Sequence, residues 1–305
     1  MTLPTNKLGT TGLPVSRLGY GAMELRGPQA MLGKPISDDQ AQLVLNTVLD
    51  SGVNLIDTSP DYGDAEELIG RWISHRREEF VLATKCGCPL PADGDSHVYT
   101  RANVRAGVEQ SLRRMRTDHI DILMVHLSPS VAVMQAEDTI AEMLALRDVG
   151  AIRFTGMSGN LPNLPEHIAM GIFDVFLVPF SAFDRSHEEL ISAAASAGAG
   201  TIARGAVARS LMAPSNVVPE PLRRSLADRQ ARLAAARLDE LAEGAPAMEL
   251  LRRFILSHVD SVIVGSTEVA HVRANVAAAE KGPLPPDVYD ALRALDDQTT
   301  NDRRP

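Results

Sequence analysis

Eight short apolar runs recur along this chain, and each is followed by a polar turn and a segment of helical periodicity. The runs are Arg17–Met23, Val53–Asp57, Phe80–Lys85, Ile120–His126, Ile152–Ser158, Phe173–Val178, Gly200–Arg204 and Ser261–Gly265. Most are nearly continuous in apolar residues, as expected of strands covered on both faces in a parallel sheet. Parallel neighbours need long crossovers, and the intervening segments supply them. Ser37–Gln40 reads as a capping box whose helix stops at Gly52, and Ser186–Glu189 opens another that stops at Gly198. Further helices fit Ala65–Glu79, Arg101–Arg116, Met134–Val149, Leu164–Met170, Met248–His258 and Val269–Lys281. Eight strand–helix units predict an α/β fold, a (β/α)8 TIM barrel, with a doubly wound sheet as the alternative.

The length of 305 residues suits one such barrel, so residues 1–305 are expected to form a single domain. Lys7–Val15, with its Gly-bearing turn, predicts an N-terminal β-hairpin that closes the bottom of the barrel. Leu222–Glu243, rich in Arg, Ala and Leu, reads as an inserted surface helix, and a short polar tail follows a last helix at Pro285–Asp297. Thirty Lys and Arg against 39 Asp and Glu leave a net charge of −9 with the basic residues scattered. That distribution argues against nucleic acid or an anionic membrane as partner and for a small-molecule substrate. No apolar run approaches the roughly 20 residues of a membrane helix, and the first residues lack a signal-peptide pattern, so the expected location is cytoplasmic. The two cysteines, Cys86 and Cys88, sit too close for a C-x-x-C motif and lack companions for a cysteine-based zinc site. No metal is expected, and oligomeric state stays open.

In a barrel of this kind the chemistry lies where strands end at their C-termini. The residues that close the apolar runs are Asp57 and then Tyr62 after the second, Lys85 on the third, His126 on the fourth and Ser158 on the fifth. Each alone has an ordinary explanation as a cap, a snorkelling cation or a core histidine. Their arrival at consecutive strand ends asks for another. A tyrosine with a pKa of about 10 exchanges protons poorly near neutrality, and a nearby lysine cation favours its phenolate. An aspartate paired with that lysine limits the cost of burying its charge. Such a tyrosine can protonate a carbonyl oxygen while a neutral histidine donates to the same oxygen. None of these side chains carries a hydride, which points to a nicotinamide cofactor.

These segments resemble the aldo-keto reductase superfamily over nearly the whole chain. KLGTTGLPVSRLGYGAM resembles its hairpin and first strand, and NLIDTSPDYG with EELIG its aspartate–tyrosine signature. VLATK and NVRAGVEQSLRRMRTDHIDILMVH are similar to the segments with its lysine and histidine, and IVGST with HVRAN to its cofactor phosphate region. The resemblance implies that Tyr62 is the proton donor, that Lys85 and Asp57 tune it, and that His126 orients the substrate carbonyl. It further implies cofactor contacts from Gly21, Ala22, Met23, Asp57, Ser158, Arg204, Gly265, Ser266, Thr267, His271 and Asn275. Departures from the family pattern fall among these. Gly159 follows Ser158 in place of an asparagine, with Asn160 one step late, and Leu177 stands where a glutamine is usual. Arg204 replaces an aromatic that stacks on the nicotinamide, a place a planar guanidinium can also take. Gly265 replaces a lysine and His271 the arginine that contacts the 2′-phosphate, with Arg273 positioned to compensate. NADP(H) is the expected cofactor, and NAD(H) stays open.

Other motifs fail on their spacing. Gly19–Glu24 places Glu24 where a dinucleotide fingerprint needs glycine, and Gly156–Asn160 lacks the last glycine of G-x-S-x-G. His119 and His126 lie seven apart on a strand pattern, hence on opposite faces. The expected activity is NAD(P)H-dependent reduction of an aldehyde or ketone to an alcohol, reversible as an alcohol dehydrogenase. The alternatives are a Schiff-base lyase using Lys85 and a non-catalytic nicotinamide-binding regulatory subunit.

Overall fold

The computed structural model describes residues 3–27, 35–90, 96–204 and 244–297, with isolated positions between 227 and 242. Strands β1 (Thr5–Lys7) and β2 (Pro14–Ser16) form the antiparallel hairpin. Eight parallel strands then close a barrel: β3 (Leu18–Gly21), β4 (Leu55–Asp57), β5 (Val81–Cys86), β6 (Ile120–Val125), β7 (Ile152–Ser158), β8 (Val175–Pro179), β9 (Gly200–Arg204) and β10 (Ser261–Val264). Pairing of β10 with both β9 and β3 completes the closure and decides against the doubly wound sheet. Each predicted run coincides with one of these strands, although β5 and β8 each extend one residue past the expected end, to Cys86 and Pro179.

The continuous apolar pattern follows from two cores. Inside the barrel Leu55, Val81, Ala83, Ile122, Met124, Val175, Leu177 and Ile202 pack together. The intervening residues, such as Leu82, Leu123, Val125 and Phe176, face the helices instead. Both faces of most strands are thus largely apolar, each fully buried aliphatic side chain contributing about 1.5–3 kcal/mol. The hairpin sends Leu8, Leu13 and Val15 into the inner core at the lower end of the barrel. Gly9 lies at a φ of 50° against β9, where a Cβ would collide with the backbone of Ala199 and Gly200, and the Thr10 amide donates to Gly198 O at 2.8 Å. Buried Asp121 ties the lower ends of three strands by accepting from the Leu82 amide at 2.8 Å, Arg77 at 2.6 Å and Arg153 at 2.7 Å.

The outer helices are α1 (Asp38–Asp50), α2 (Ala65–Trp72), α3 (Arg101–Met115), α4 (Val131–Ala136), α5 (Thr139–Asp148), α6 (Leu164–Ala169), α7 (Glu188–Ser196), α8 (Ala247–Leu256), α9 (Val269–Glu280) and α10 (Pro286–Asp297). Several differ from the sequence expectation for local reasons. Ser37 Oγ does cap α1 by accepting from the Gln40 amide at 3.3 Å, but the Gln40 side chain donates to Thr267 O instead of closing a box. Ser186 caps nothing: its hydroxyl donates to Asp184 Oδ1 at 2.7 Å, and α7 starts at Glu188. The helix expected at Met134–Val149 is split between α4 and α5 by Asp138 at a φ of 54°, a conformation a short polar side chain tolerates. That expected over Ala65–Glu79 ends as an α-helix at Trp72 and continues in tighter 3₁₀ turns over Ser74–Glu79. Met23 belongs to a turn at Ala22–Glu24, beyond the end of β3.

Of the expected insertion at Leu222–Glu243, Ala227, Gln230, Ala231, Ala234 and Ala235 are helical and exposed, and most of the remainder lies outside the described residues. So do residues 298–305 and parts of the loops expected to wall the pocket, at 28–34, 91–95 and 205–221. Among the described residues no helix is long and apolar enough to cross a membrane.

Candidate active site

Parallel closure puts the C-terminal ends of β4, β5 and β6 side by side, and register aligns Asp57 with Gly21 on one flank and Ala83 on the other. Asp57 ends β4 at 3% exposure, and Lys85 on β5 is 1% exposed. The two form a direct ion pair, and the ammonium donates a further bond to Thr58 O at 2.9 Å. Burial pushes the Asp57 carboxyl upward, opposed by the adjoining ammonium and by the charge of Arg204. Arg204 ends β9 and so stands at the same end of the barrel, and its charge adds to the lowering of His126 and His187.

Tyr62 follows β4 in a turn closed by its own amide donating to Ser59 O at 3.0 Å. Its ring is half-buried, lies edge-on to His126 with centroids 6.3 Å apart, and carries the Arg26 guanidinium at 5.2 Å. His126 directly follows β6, where its amide donates to Cys86 O at 3.1 Å and its carbonyl accepts from Tyr99 Oη at 2.8 Å. Its Nδ1 faces His97 Nε2 at 3.1 Å, Cys88 Sγ at 3.5 Å and Asp61 Oδ2 at 3.5 Å. Burial lowers the imidazole to about 3, with Asp61 opposing and Lys85, His97 and Arg204 pressing the same way. His126 is therefore neutral across the physiological range. His119 lies at the opposite end of β6, against Asp118 and Asp121.

Ser158 ends β7, buried, in register with Leu177 of β8, and Leu177 points into the inner core rather than toward the rim. The Gly159 amide donates to Leu177 O at 3.0 Å, and Asn160 exchanges backbone bonds with the Ser128 hydroxyl. Beyond β10, Gly265 passes close to β3: a Cβ there would stand 2.6 Å from Gly21 O, so only glycine fits. Tyr20 Oη donates to Ser266 O at 2.8 Å, holding the loop that leads to the N-terminus of α9. Neither the Ser266 nor the Thr267 amide donates to a protein acceptor among the described residues. Open amides just before a helix N-terminus suit a phosphate, so this loop fits the diphosphate of a dinucleotide. His271 is exposed, with Nδ1 3.3 Å from Ser266 Oγ, and Arg273 is exposed on the same helix. Asn275 instead is buried against the barrel wall, near Leu18, Tyr20, Val48 and Val272.

Asp57, Tyr62, Lys85 and His126 thus converge as their strand positions imply. Asp61, His97 and Tyr99 around His126 were not singled out as site residues by the sequence, and Cys88 was weighed only with Cys86, because only the folded loops after β4 and β5 bring these side chains together.

The Aldo/keto reductase family model matches residues 17–297. An uncharacterized oxidoreductase of Bacillus subtilis (strain 168), YqkF, is 28% identical over 310 residues, covering 97% of this chain and 96% of its own length. The NADH-specific methylglyoxal reductase of Escherichia coli (strain K12) is 32% identical over 200 residues, 59% of this chain and 60% of that protein. The solved structure of an aldo-keto reductase from Bacillus halodurans in its holo form superposes with a TM-score of 0.79 at 27% identity, covering 96% of each chain.

Proposed function

This chain belongs to the aldo/keto reductase family and is an oxidoreductase that works with a nicotinamide cofactor, and on that premise we propose that it reduces an aldehyde or ketone with Tyr62 as proton donor. The observation that carries this reading is the buried Lys85–Asp57 ion pair, set at the strand ends next to the turn that presents Tyr62 and beside a neutral His126. A nicotinamide held at the rim by Ser158 and Arg204 would supply a hydride. Tyr62 gives its phenolic proton to the carbonyl oxygen, and Lys85 favours the phenolate that remains. Asp57 fixes the ammonium and balances its charge. His126 has Nδ1 turned toward His97 and Cys88, which leaves Nε2 as the nitrogen for the substrate oxygen. The lyase alternative requires a neutral amine at Lys85, and an ammonium bonded to a carboxylate and a carbonyl is the wrong environment for one.

Tyr62→Phe removes the acid and keeps the ring. Reduction is expected to fall by about 10²–10⁴-fold while cofactor affinity stays close to wild type. Turnover near wild type, followed through NADPH absorbance over a panel of aldehydes, ketones and sugars, would end the tyrosine-acid reading. No turnover by the wild-type chain on any carbonyl, with tight cofactor binding, would favour a regulatory subunit instead.

For the cofactor we propose NADP(H), read by Arg273 in the first turns of α9 beside His271. The NADH-specific relative and a histidine at 271 in place of the family's arginine favour NADH as the second reading. Arg273→Ala is expected to weaken NADPH binding by about tenfold, one charge-assisted contact, and to leave NADH binding unchanged. Equal effects on both cofactors would remove Arg273 as the reader of the 2′-phosphate.

A further inference from the structure

Four side chains from the loops after β4 and β5 and from the end of β6 meet at one point beside the barrel rim. Asp61, Cys88, His97 and His126 each offer one ligand atom, and all four atoms lie within 4.8 Å of one another. The nearest pairs are 3.1 Å between the two imidazole nitrogens, 3.5 Å from His126 Nδ1 to both Cys88 Sγ and Asp61 Oδ2, and 4.0 Å from His97 Nε2 to Asp61 Oδ2. A tetrahedral zinc ion, with bonds of about 2.0–2.3 Å, separates its ligand atoms by roughly 3.3–3.7 Å. We propose that these four residues form a binding site for a divalent transition ion of the zinc class.

The donor set is of the right kind. Two neutral imidazoles, one thiolate and one carboxylate suit a borderline-soft ion and are a poor match to magnesium or calcium. Charge also balances: a divalent ion with a thiolate and a carboxylate is neutral overall, an acceptable state for a site where Cys88 and His126 are buried and Asp61 and His97 partly so. Binding forms a metal–sulfur bond and releases the Cys88 thiol proton to solvent, with no change of oxidation state.

The loops already hold the ligands in place. The Cys88 carbonyl accepts from Asn103 Nδ2 at 2.9 Å, the Val98 amide after His97 donates to Gly87 O at 2.8 Å, and Tyr99 Oη holds the His126 carbonyl. Asp61 Oδ1 is buried with no hydrogen-bond partner among the described residues, so the carboxylate has an oxygen to spare. The site shares His126 with the proposed reductase reading, yet its existence does not depend on that reading.

Cobalt(II) is the probe, added to the full-length chain without cofactor or substrate. The expected result is a single equivalent bound, with a thiolate-to-cobalt charge-transfer band and the intense d–d absorption of a tetrahedral ion, both abolished by zinc competition. C88S should lose the charge-transfer band, and H97A should weaken binding by more than about 100-fold, above the cost of losing an outer-shell partner. Circular dichroism of both variants checks that they fold. Y62F should keep the full spectrum, which separates this outcome from the fate of the tyrosine mechanism. Absence of a thiolate band in the wild type, or tetrahedral binding that survives in folded C88S, would overturn the site and leave a hydrogen-bonded cluster.

Discussion

Lys85 and Asp57 set an energetic problem that neither residue solves alone. Taking an ammonium and a carboxylate out of water costs several kcal/mol per ion, and their mutual attraction with the Thr58 bond offsets most of it. Removing one partner should therefore cost more than removing both. Asp57→Leu and Lys85→Met are each expected to destabilise the fold by about 3–5 kcal/mol, because each strands a buried charge. The double variant should be markedly more stable than the sum of the two, by more than about 1 kcal/mol in a denaturant double-mutant cycle. Additive losses would mean that the two charges are solvated independently. The ends of the apolar runs made these residues legible, since a strand that stops on a charge at the same end as its neighbours is a one-dimensional pattern. The ring of partners around His126 was not: Asp61, Cys88 and His97 are 27, 9 and 29 positions from their neighbours in that cluster, and no local spacing encodes their meeting.

At the scale of elements, the joint between α2 and α3 carries a further buried acid. Glu66 in the first turn of α2 is fully buried, accepts from Thr84 Oγ1 at 2.8 Å, and has Arg114 of α3 at 3.6 Å. Burial nevertheless holds its carboxyl above the ordinary range, against the pull of these partners. A raised folded-state pKa means that the folded chain binds the proton more tightly than the unfolded one. Its stabilising contribution is then complete below the ordinary carboxyl pKa of about 4.3 and is lost as pH rises through the folded value. Glu66→Gln cannot ionise and escapes that loss. Urea unfolding over a pH series should show the stability of the variant relative to wild type growing as pH rises from about 4.3 through that window, and a difference that shrinks would reverse the assignment. Elements also mark where sequence reading met its limit. Ser186 has the spacing of a cap, but Asp184 two residues earlier takes its hydroxyl, and Asp138 breaks a helix whose apolar periodicity continues through the break. Both are competitions between neighbouring polar groups that a period does not register.

Across the whole molecule the hairpin plug and the charged rim occupy opposite ends of the same strands, so the residues that close the barrel stand apart from those of the proposed site. Leu8 and Leu13 enter the inner core from below, Asp121 ties β5, β6 and β7 at the same end, and Asp57, Lys85 and Arg204 stand at the other. Eight largely apolar strands were visible in the sequence as eight nearly continuous runs, so the architecture was readable even where helix boundaries were not. What the runs did not encode is how closely the plug approaches β9, which depends on a contact between residues almost two hundred positions apart. Gly9 is the test of that contact. At a φ of 50° with Gly200 packed against it, any Cβ both strains the backbone and pushes the hairpin off the barrel. Gly9→Ala is expected to destabilise the chain by about 1–3 kcal/mol, the range for a strained φ or an overpacked contact. Because the rim is at the far end of the strands, kcat and KM measured well below the unfolding transition should remain at wild-type values. If turnover falls in step with stability, the lower end of the barrel shapes the rim after all, and the separation between plug and site fails.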